Sequence, residues 1–207
     1  MRKFILRGIF YDLFIEPLIT RTKKRITQLI TQNDLFPAID ICCGTGKQCQ
    51  LVEKRRQGTI GLDLDLKMLE YASSKYPHIK FVCADAAHIP FHKESFKAVI
   101  ISYSLHDKNP EMRIKIIQEA KRLLTPEGKI VFLDFENPWN RLSGLGSAFA
   151  RLIERTAGGE HYKNNRQFLK NGGLQAIIRS HGLYTVERHD IPLGSSRIVV
   201  AQSEDTF

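Results

Sequence analysis

Nothing in this chain reads as a membrane span, because no apolar stretch reaches the ~18–20 uncharged residues that a bilayer core demands. Cysteine is scarce and poorly spaced for metal. Cys42, Cys43, Cys49 and Cys83 form no Cys-x-x-Cys pair, so buried reduced thiols are expected in place of zinc ligands or disulfides. No set of His, Cys and acidic residues stands at metal-ligand spacing, and no metal is expected. The N-terminus starts like a secretion signal with Met1-Arg2-Lys3-Phe4-Ile5-Leu6. However, Arg7 interrupts the apolar region, Asp12 follows, and no small-residue cleavage site appears. The chain has no internal repeat, low-complexity tract or domain linker, and no interleaving of basic and aromatic residues of the kind that binds RNA. A nucleic-acid partner is therefore not expected, and the sequence is silent on oligomeric state. These absences leave a cytoplasmic protein of one domain, 1–207, long enough to bury a substantial core without splitting.

What is present is an alternation of strand and helix signals. Ala38-Ile39-Asp40-Ile41 is an apolar run ending beside an acid, and Cys42-Cys43-Gly44-Thr45-Gly46 is a small-residue turn into a helix-compatible segment. Glycines at such a turn let the backbone bend sharply and approach a ligand, and the helix start presents unpaired N–H groups. A phosphate-binding P-loop is excluded, since it needs glycine at the place of Ile41 and a hydroxyl at the place of Gln48. A dinucleotide loop, with Cys49 at its third small position, stays open. S-adenosylmethionine is the third candidate ligand, and Asp40 supplies the acid its sites carry at the end of the first strand.

Further acids recur at successive strand ends. Thr59–Asp63 is a second strand, and Asp63 lies about 20 residues beyond the first glycine, the separation expected of a ribose-binding carboxylate. An ionised carboxylate offers only acceptors, which suits a diol. Asp65 is a candidate N-cap for the helix that follows. Ile79–Ala84 is the third strand and ends in Asp85-Ala86. Ala98–Ser102 is the fourth. Asn109-Pro110-Glu111 opens a helix running to Leu124, with Asn109 as cap. Thr125-Pro126-Glu127-Gly128 is then a turn into a fifth strand, Lys129–Phe135. Residues 1–35 read as helical, with Leu18, Thr22, Ile26, Leu29 and Ile30 on one face. Residues 139–155 read as loosely helical and 174–180 as a helix stopping at Gly182. Leu183–Asp190 and Ser196–Gln202 read as final strands.

The loop resembles the Asp-x-Cys-Cys-Gly-Thr-Gly form of the ubiquinone/menaquinone C-methyltransferase family, among class I methyltransferases. Asp85-Ala86-Ala87-His88-Ile89-Pro90-Phe91, Arg122–Lys129, Ile101–Asp107 and the pair Tyr11-Asp12 resemble further segments of that family. The resemblance covers most of the chain and is strongest from Asp40 to Phe135. It implies an α/β, Rossmann-like fold: a seven-stranded, mostly parallel sheet with helices on both faces and an antiparallel last strand. Residues 1–35 would form a helical cap, 36–136 the cofactor-binding core, and 137–207 the acceptor side. The implied cofactor is S-adenosylmethionine, leaving as S-adenosylhomocysteine. Asp40, Cys42, Gly44, Thr45 and Gly46 would surround it, with Asp63 and Leu64, Asp85 and Ala86, and Ser102 and Tyr103.

The implied chemistry is methyl transfer to a small or lipid-like acceptor, of which quinone-type carbon or oxygen and phospholipid amine are the candidates. His106, Asp107 and Tyr162 are the candidate catalytic residues. In the quinone enzymes an arginine commonly stands at the position matched by His106, a departure that bears on the acceptor. Tyr162 follows Gly158-Gly159 in a segment read as a loop that closes over the acceptor. An NAD-dependent oxidoreductase would share Gly44, Gly46 and Asp63 but leave Asp40 and Asp85 unexplained. A regulatory protein that binds S-adenosylmethionine without catalysis is the non-enzymatic alternative. The net charge of +9 favours anionic partners. Basic groups at Arg2, Lys3, Arg7 and at Arg21, Lys23, Lys24, Arg25 flank the apolar N-terminal segment. That segment is read either as a basic helix lying on the inner membrane surface or as a cap over the acceptor pocket with a solvated basic face.

Overall fold

A computed structural model of the chain describes residues 16–138, 159–191 and 196–204. It begins with helix α1 (Glu16–Gln32). Strand β1 (Ala38–Ile41), helix α2 (Lys47–Glu53), strand β2 (Thr59–Asp63), helix α3 (Leu66–Lys75) and strand β3 (Lys80–Cys83) follow. Next come β4 (Phe96–Ser102), α4 (Pro110–Leu123) and β5 (Leu124–Phe135). The chain closes with α5 (Gly159–Lys170), α6 (Gly173–Ser180), β6 (Leu183–Asp190) and β7 (Ser196–Ser203). The strands form one seven-stranded sheet in the order β3-β2-β1-β4-β5-β7-β6. β1, β2, β3, β4 and β5 pair in parallel. β7 runs antiparallel to both β5 and β6. This is the expected sheet, with its one reversed strand the last in sequence.

The period-2 alternation of the strands divides the core. Ile39, Ile41, Leu62, Val99, Ile101, Ile130, Phe132 and Val199 point to one face and meet Ile116, Ile117 and Ala120 of α4, Phe168 of α5, and Leu174 and Ile178 of α6. Ala38, Ala98, Ile100, Val131, Leu133, Ile198 and Val200 point to the other and meet Ile26, Leu29 and Ile30 of α1 and Val52 of α2. Both faces of the central strands are covered, as a parallel sheet requires. The apolar side of α1 is thus packed on the sheet, while Arg21 and Lys24 remain exposed. Within 19–32 the exposed side chains are polar: Arg21, Lys24, Gln28, Thr31 and Gln32. Among the described residues no helix is long and apolar enough to cross one.

The capping chemistry read from the sequence is present. The Asp65 carboxylate accepts from the N–H groups of Lys67 and Met68 at the start of α3. The Asn109 side chain accepts from Met112 N at 2.8 Å, with Pro110 in the first turn of α4.

Two elements differ from expectation. Thr125-Pro126-Glu127-Gly128 does not separate helix from strand. Leu124 is already extended and pairs with Phe96, and the register then jumps to Ala98 opposite Lys129, so these residues bulge out within β5. The segment after Gly158, expected as a loop, is helix α5. Its polar sequence conceals a narrow inner stripe in which Asn165 and Phe168 are buried. The helix expected over 139–155 lies outside the described residues, as do residues 1–15.

Candidate active site

The carboxyl ends of β1, β2, β3 and β4 open onto one cleft of about 720 Å³, the location where open α/β sheets bind ligands. Gly44 sits at φ 54° and Gly46 at φ 71°, both in the left-handed region that side chains other than glycine resist. Their roles differ. Gly44 lines the cleft. Gly46, which does not, caps α2, and a Cβ there would stand 2.6 Å from the Phe81 ring. Gly46 therefore serves close packing of the loop on β3 and acts on the cleft only through the loop's shape.

Asp63 fastens this region. Its Oδ2 accepts from Gly44 N at 2.8 Å and its Oδ1 from Asp65 N at 2.9 Å. One carboxylate therefore joins the glycine loop, the end of β2 and the start of α3, and each oxygen keeps a lone pair toward the cleft. Asp85 Oδ1 accepts from Ala87 N at 2.9 Å, which turns the chain after β3. Asp40 is only 2% exposed yet borders the cleft, and its Oδ2 accepts from the Cys49 thiol at 3.5 Å. Cys42, Thr45, Leu64, Ala86, Ser102 and Tyr103 also line the cleft. Cys42 and Tyr103 hold positive φ values of 59° and 51° at the ends of β1 and β4. Such backbone conformations in residues other than glycine cluster at functional sites.

Burial pushes the Cys42 thiol up to about 12, against the pull of the Lys108 ammonium. Cys43 and Cys49 are buried and Cys83 is exposed. Because the thiolate is the nucleophile, a thiol-specific reagent at neutral pH is expected to modify Cys83 rapidly. Cys43 and Cys49 should react only on unfolding, and Cys42, partly exposed on the cleft wall with its thiol held protonated, far more slowly than Cys83. Mass mapping of a timed iodoacetamide reaction reads this directly, and fast labelling of Cys42 would contradict it.

The residues read as catalytic separate. Asp107 lines the cleft and also a second, outer recess of about 470 Å³ formed with the start of α5. His106 lines neither. It is 4% exposed, with Nδ1 2.7 Å from Asp134 Oδ1. The Asp134 carboxylate also accepts from the N–H groups of Leu105, His106 and Phe135. The His106 ring is thus built into the loop support, packed edge-on against Phe135 and His161. Tyr162 lines neither cavity, and its ring lies 6.0 Å from the Arg166 guanidinium. From α5, His161 and Asn164 face the outer recess instead. His161 Nε2 stands 3.4 Å from Asp107 Oδ2, and Asn164 Nδ2 donates to the Asp107 carbonyl at 2.8 Å.

Burial would raise the Asp107 carboxyl, but the His161 hydrogen bond and the Lys108 ammonium outweigh it and hold the group below its ordinary value of 3.8. A carboxyl depressed in the folded state lends stability that is present above its unfolded pKa and is lost as pH falls through the folded value. Asp107→Asn is therefore expected to lower the melting temperature near neutral pH. The gap from the parent should close progressively below about pH 4. Melting curves collected across that range check it.

Several cleft residues had no signal in the sequence reading. Lys23 of α1 is a buried cation bordering the cleft. Gln48 is 1% exposed. Its Nε2 donates to the Lys23 carbonyl and the Thr27 hydroxyl, while its Oε1 is buried with no hydrogen-bond partner. Lys108 borders both cavities. Position on the buried stripe of α1, next to Thr22 and one turn before Thr27, is the signal that could have found Lys23.

Comparison with known proteins identifies the family and the fold. Residues 38–128 match the model of a methyltransferase domain. The demethylmenaquinone methyltransferase of Renibacterium salmoninarum is 33% identical over 174 residues, 69% of this chain and 73% of that protein. The 2-phytyl-1,4-naphtoquinone methyltransferase of Thermosynechococcus vestitus is 37% identical over 107 residues, 49% of this chain and 47% of its own. The chain spans about half the length of that relative and of a Thermotoga maritima relative. A solved structure of a Pyrococcus horikoshii protein superposes with a TM-score of 0.61 at 17% identity, covering 80% of this chain and 81% of the other, which supports the fold alone.

Fold and cleft together define the class as Rossmann-like class I methyltransferases, whose methyl donor is S-adenosylmethionine. Within it, the chain belongs to the quinone methyltransferase family. The residues present fit that donor. The unpartnered Gln48 Oε1 can accept from an ammonium, Lys23 can meet a carboxylate, and Asp63 can meet a ribose diol. The cleft volume lies in the range of small-molecule sites.

Proposed function

We propose that this protein transfers a methyl group from S-adenosylmethionine to a small, lipid-like, quinone-type acceptor. The observation that carries the reading is the convergence of Asp40, Asp63 and Asp85 on the one cleft that also contains the glycine loop. The bound donor supplies a methyl group already activated on a positively charged sulfur. The chain's own task is to bind, align and exclude water. Asp63 accepts from the ribose hydroxyls. Asp85 and the Ala86 N–H face the adenine. Lys23 and Gln48 hold the amino-acid end, near Asp40 and the main-chain groups of Ser102 and Tyr103. The acceptor enters by the outer recess, past Asp107, so that its reacting atom meets the methyl where the two cavities join. His106 keeps the Leu105–Asp107 loop in place through Asp134, a positioning role.

The setting consistent with such an acceptor is the cytoplasm at an anionic inner membrane surface. The net charge of +9 and the exposed Arg21 and Lys24 support it, through charge attraction and not through insertion of α1.

Calorimetric titration with S-adenosylmethionine, S-adenosylhomocysteine and NAD tests the donor. Transfer of labelled methyl into quinone and lipid extracts tests the acceptor. Binding of the first two ligands but not NAD, with label in the quinone fraction, is the expected pattern. Binding of NAD alone would overturn the donor assignment.

A further inference from the structure

One cation stands where the two cavities meet. Lys108 lies in the turn between β4 and α4, and its side chain borders both the main cleft and the outer recess. Its Nζ donates to Asp107 Oδ1 at 2.6 Å, the one hydrogen bond of that ammonium among the described residues. An ammonium has three N–H donors, so Asp107 fixes the charge in place and leaves donors for a ligand. Asp107 is itself held from the far side by His161 Nε2 and through its carbonyl by Asn164. The other cation of the cleft, Lys23, is buried beside Gln48 and Thr27, and His106 is turned to Asp134.

We propose that Lys108 receives the acceptor as an oxyanion: an ionised phenolic or enolic oxygen, either conjugated to the accepting carbon or itself the accepting atom. The inference rests on the methyl-transfer reading above and adds to it the residue that receives the acceptor's oxygen. The balance of the step is simple. The acceptor O–H bond breaks and its proton goes to solvent water, with the resulting charge stabilised by the adjacent ammonium. Electrons from the oxygen, or from the ring carbon conjugated to it, form the bond to the methyl as the methyl–sulfur bond breaks, and that pair stays on sulfur. When carbon is the acceptor, its C–H proton then leaves to water and the ring is restored. A protonated lipid amine, the other acceptor class open from the sequence, would meet like charge at this point and could not methylate until it lost its proton.

The groups facing Lys108 support a permanent charge. The carboxylates of Asp107, from its own turn, and of Asp63, from the end of β2, favour it, while Cys42 at the end of β1 is a neutral thiol, His161 stands behind Asp107 and Glu160 lies on the rim from α5. Burial works to lower the Lys108 ammonium, but Asp107 outweighs it and the group sits above its ordinary value. It therefore stays charged through the range where phenols of an acceptor type ionise.

The test reads ionisation, with no turnover needed. The probe is 1-naphthol, whose phenolate and phenol absorb at different wavelengths, titrated between about pH 6 and 10.5 with and without the protein saturated in S-adenosylhomocysteine. A fixed cation at hydrogen-bond range is expected to lower the bound naphthol's pKa by about one unit or more, a preference for the phenolate of roughly tenfold. Lys108→Arg should keep that displacement, and Lys108→Met should lose it, with melting curves establishing that each variant is folded. Equal displacement in the parent and Lys108→Met, no displacement in the parent, or no naphthol binding by the parent would each overturn the proposal. The reading beneath it fails separately, if the parent does not bind S-adenosylhomocysteine by calorimetry.

Discussion

Asp63→Ala is expected to weaken S-adenosylhomocysteine binding by about 10²-fold or more, the largest binding effect of any single substitution in the cleft. Two losses combine. The ribose diol loses its acceptor, and hydrogen bonds to a charged group are worth ~1.5–3 kcal/mol each, with ~1.4 kcal/mol per tenfold in affinity. The Gly44 and Asp65 N–H groups, now bonded to Asp63 Oδ2 and Oδ1, are orphaned at the same time. The glycine loop then loses its tie to β2, so the site must be reordered at the expense of binding. Asp63→Asn separates the two effects. Its single carbonyl oxygen can keep either the loop or the ribose but not both in full, so its affinity should fall between parent and alanine variant. Isothermal titration reads all three proteins. An alanine variant within threefold of the parent would remove Asp63 from the site.

The sequence reading reached Asp63 because the signal was local. A strand ending in an acid at a fixed distance from a glycine turn needs no knowledge of the rest of the chain. Asp65 and Asn109 were legible for the same reason, since a cap is a matter of a few neighbouring residues. The limits of β2 and β6 coincide with those read from β-branched and apolar patterning. Failures follow the opposite rule. Lys23 and Lys108 look like solvated charges in sequence, and only the packing of α1 on the sheet and the turn between β4 and α4 bring them to the cleft wall. His106 has the local marks of a base beside the site. Its side chain is claimed by Asp134, 28 positions away in sequence, a contact that no short-range pattern encodes. Helix α5 was read as a loop because Gly158-Gly159 and a polar run precede its buried Phe168. Its stability comes from what it docks on, not from intrinsic propensity.

That docking is concentrated in Arg113, and Arg113→Ala is expected to be the most destabilising single change described, at about 3–5 kcal/mol. The residue is 2% exposed in α4. Its Nε donates to the Leu105 carbonyl at 2.8 Å, and its Nη2 to those of His106 at 3.3 Å and Asn164 at 2.9 Å. The guanidinium carbon also lies 4.9 Å from the Phe168 ring centre. One fork thus bonds the carbonyls of the turn leading to Asp107 and Lys108 and those of the helix that carries His161. Burial works against the charge, with Asp134 and Asp107 offsetting it in part. Removal takes the guanidinium donors from three carbonyls, of which that of Leu105 keeps the Lys108 N–H at 3.2 Å, and leaves a cavity beside Phe168. For a chain of this size each kcal/mol shifts the melting temperature by about 2–4 °C, so a fall of roughly 10 °C is expected. Arg113→Met restores most of the volume without the donors, and it should recover only part of the loss, because the hydrogen bonds from the guanidinium are not replaced. Hydrogen exchange adds the spatial test. Both variants should lose protection first in Leu105–Asp107 and in α5, with β1 and β4 unchanged. A melting temperature within about 3 °C of the parent for Arg113→Ala, or uniform loss of protection across the sheet, would mean that α5 is held to the turn by contacts other than this one side chain.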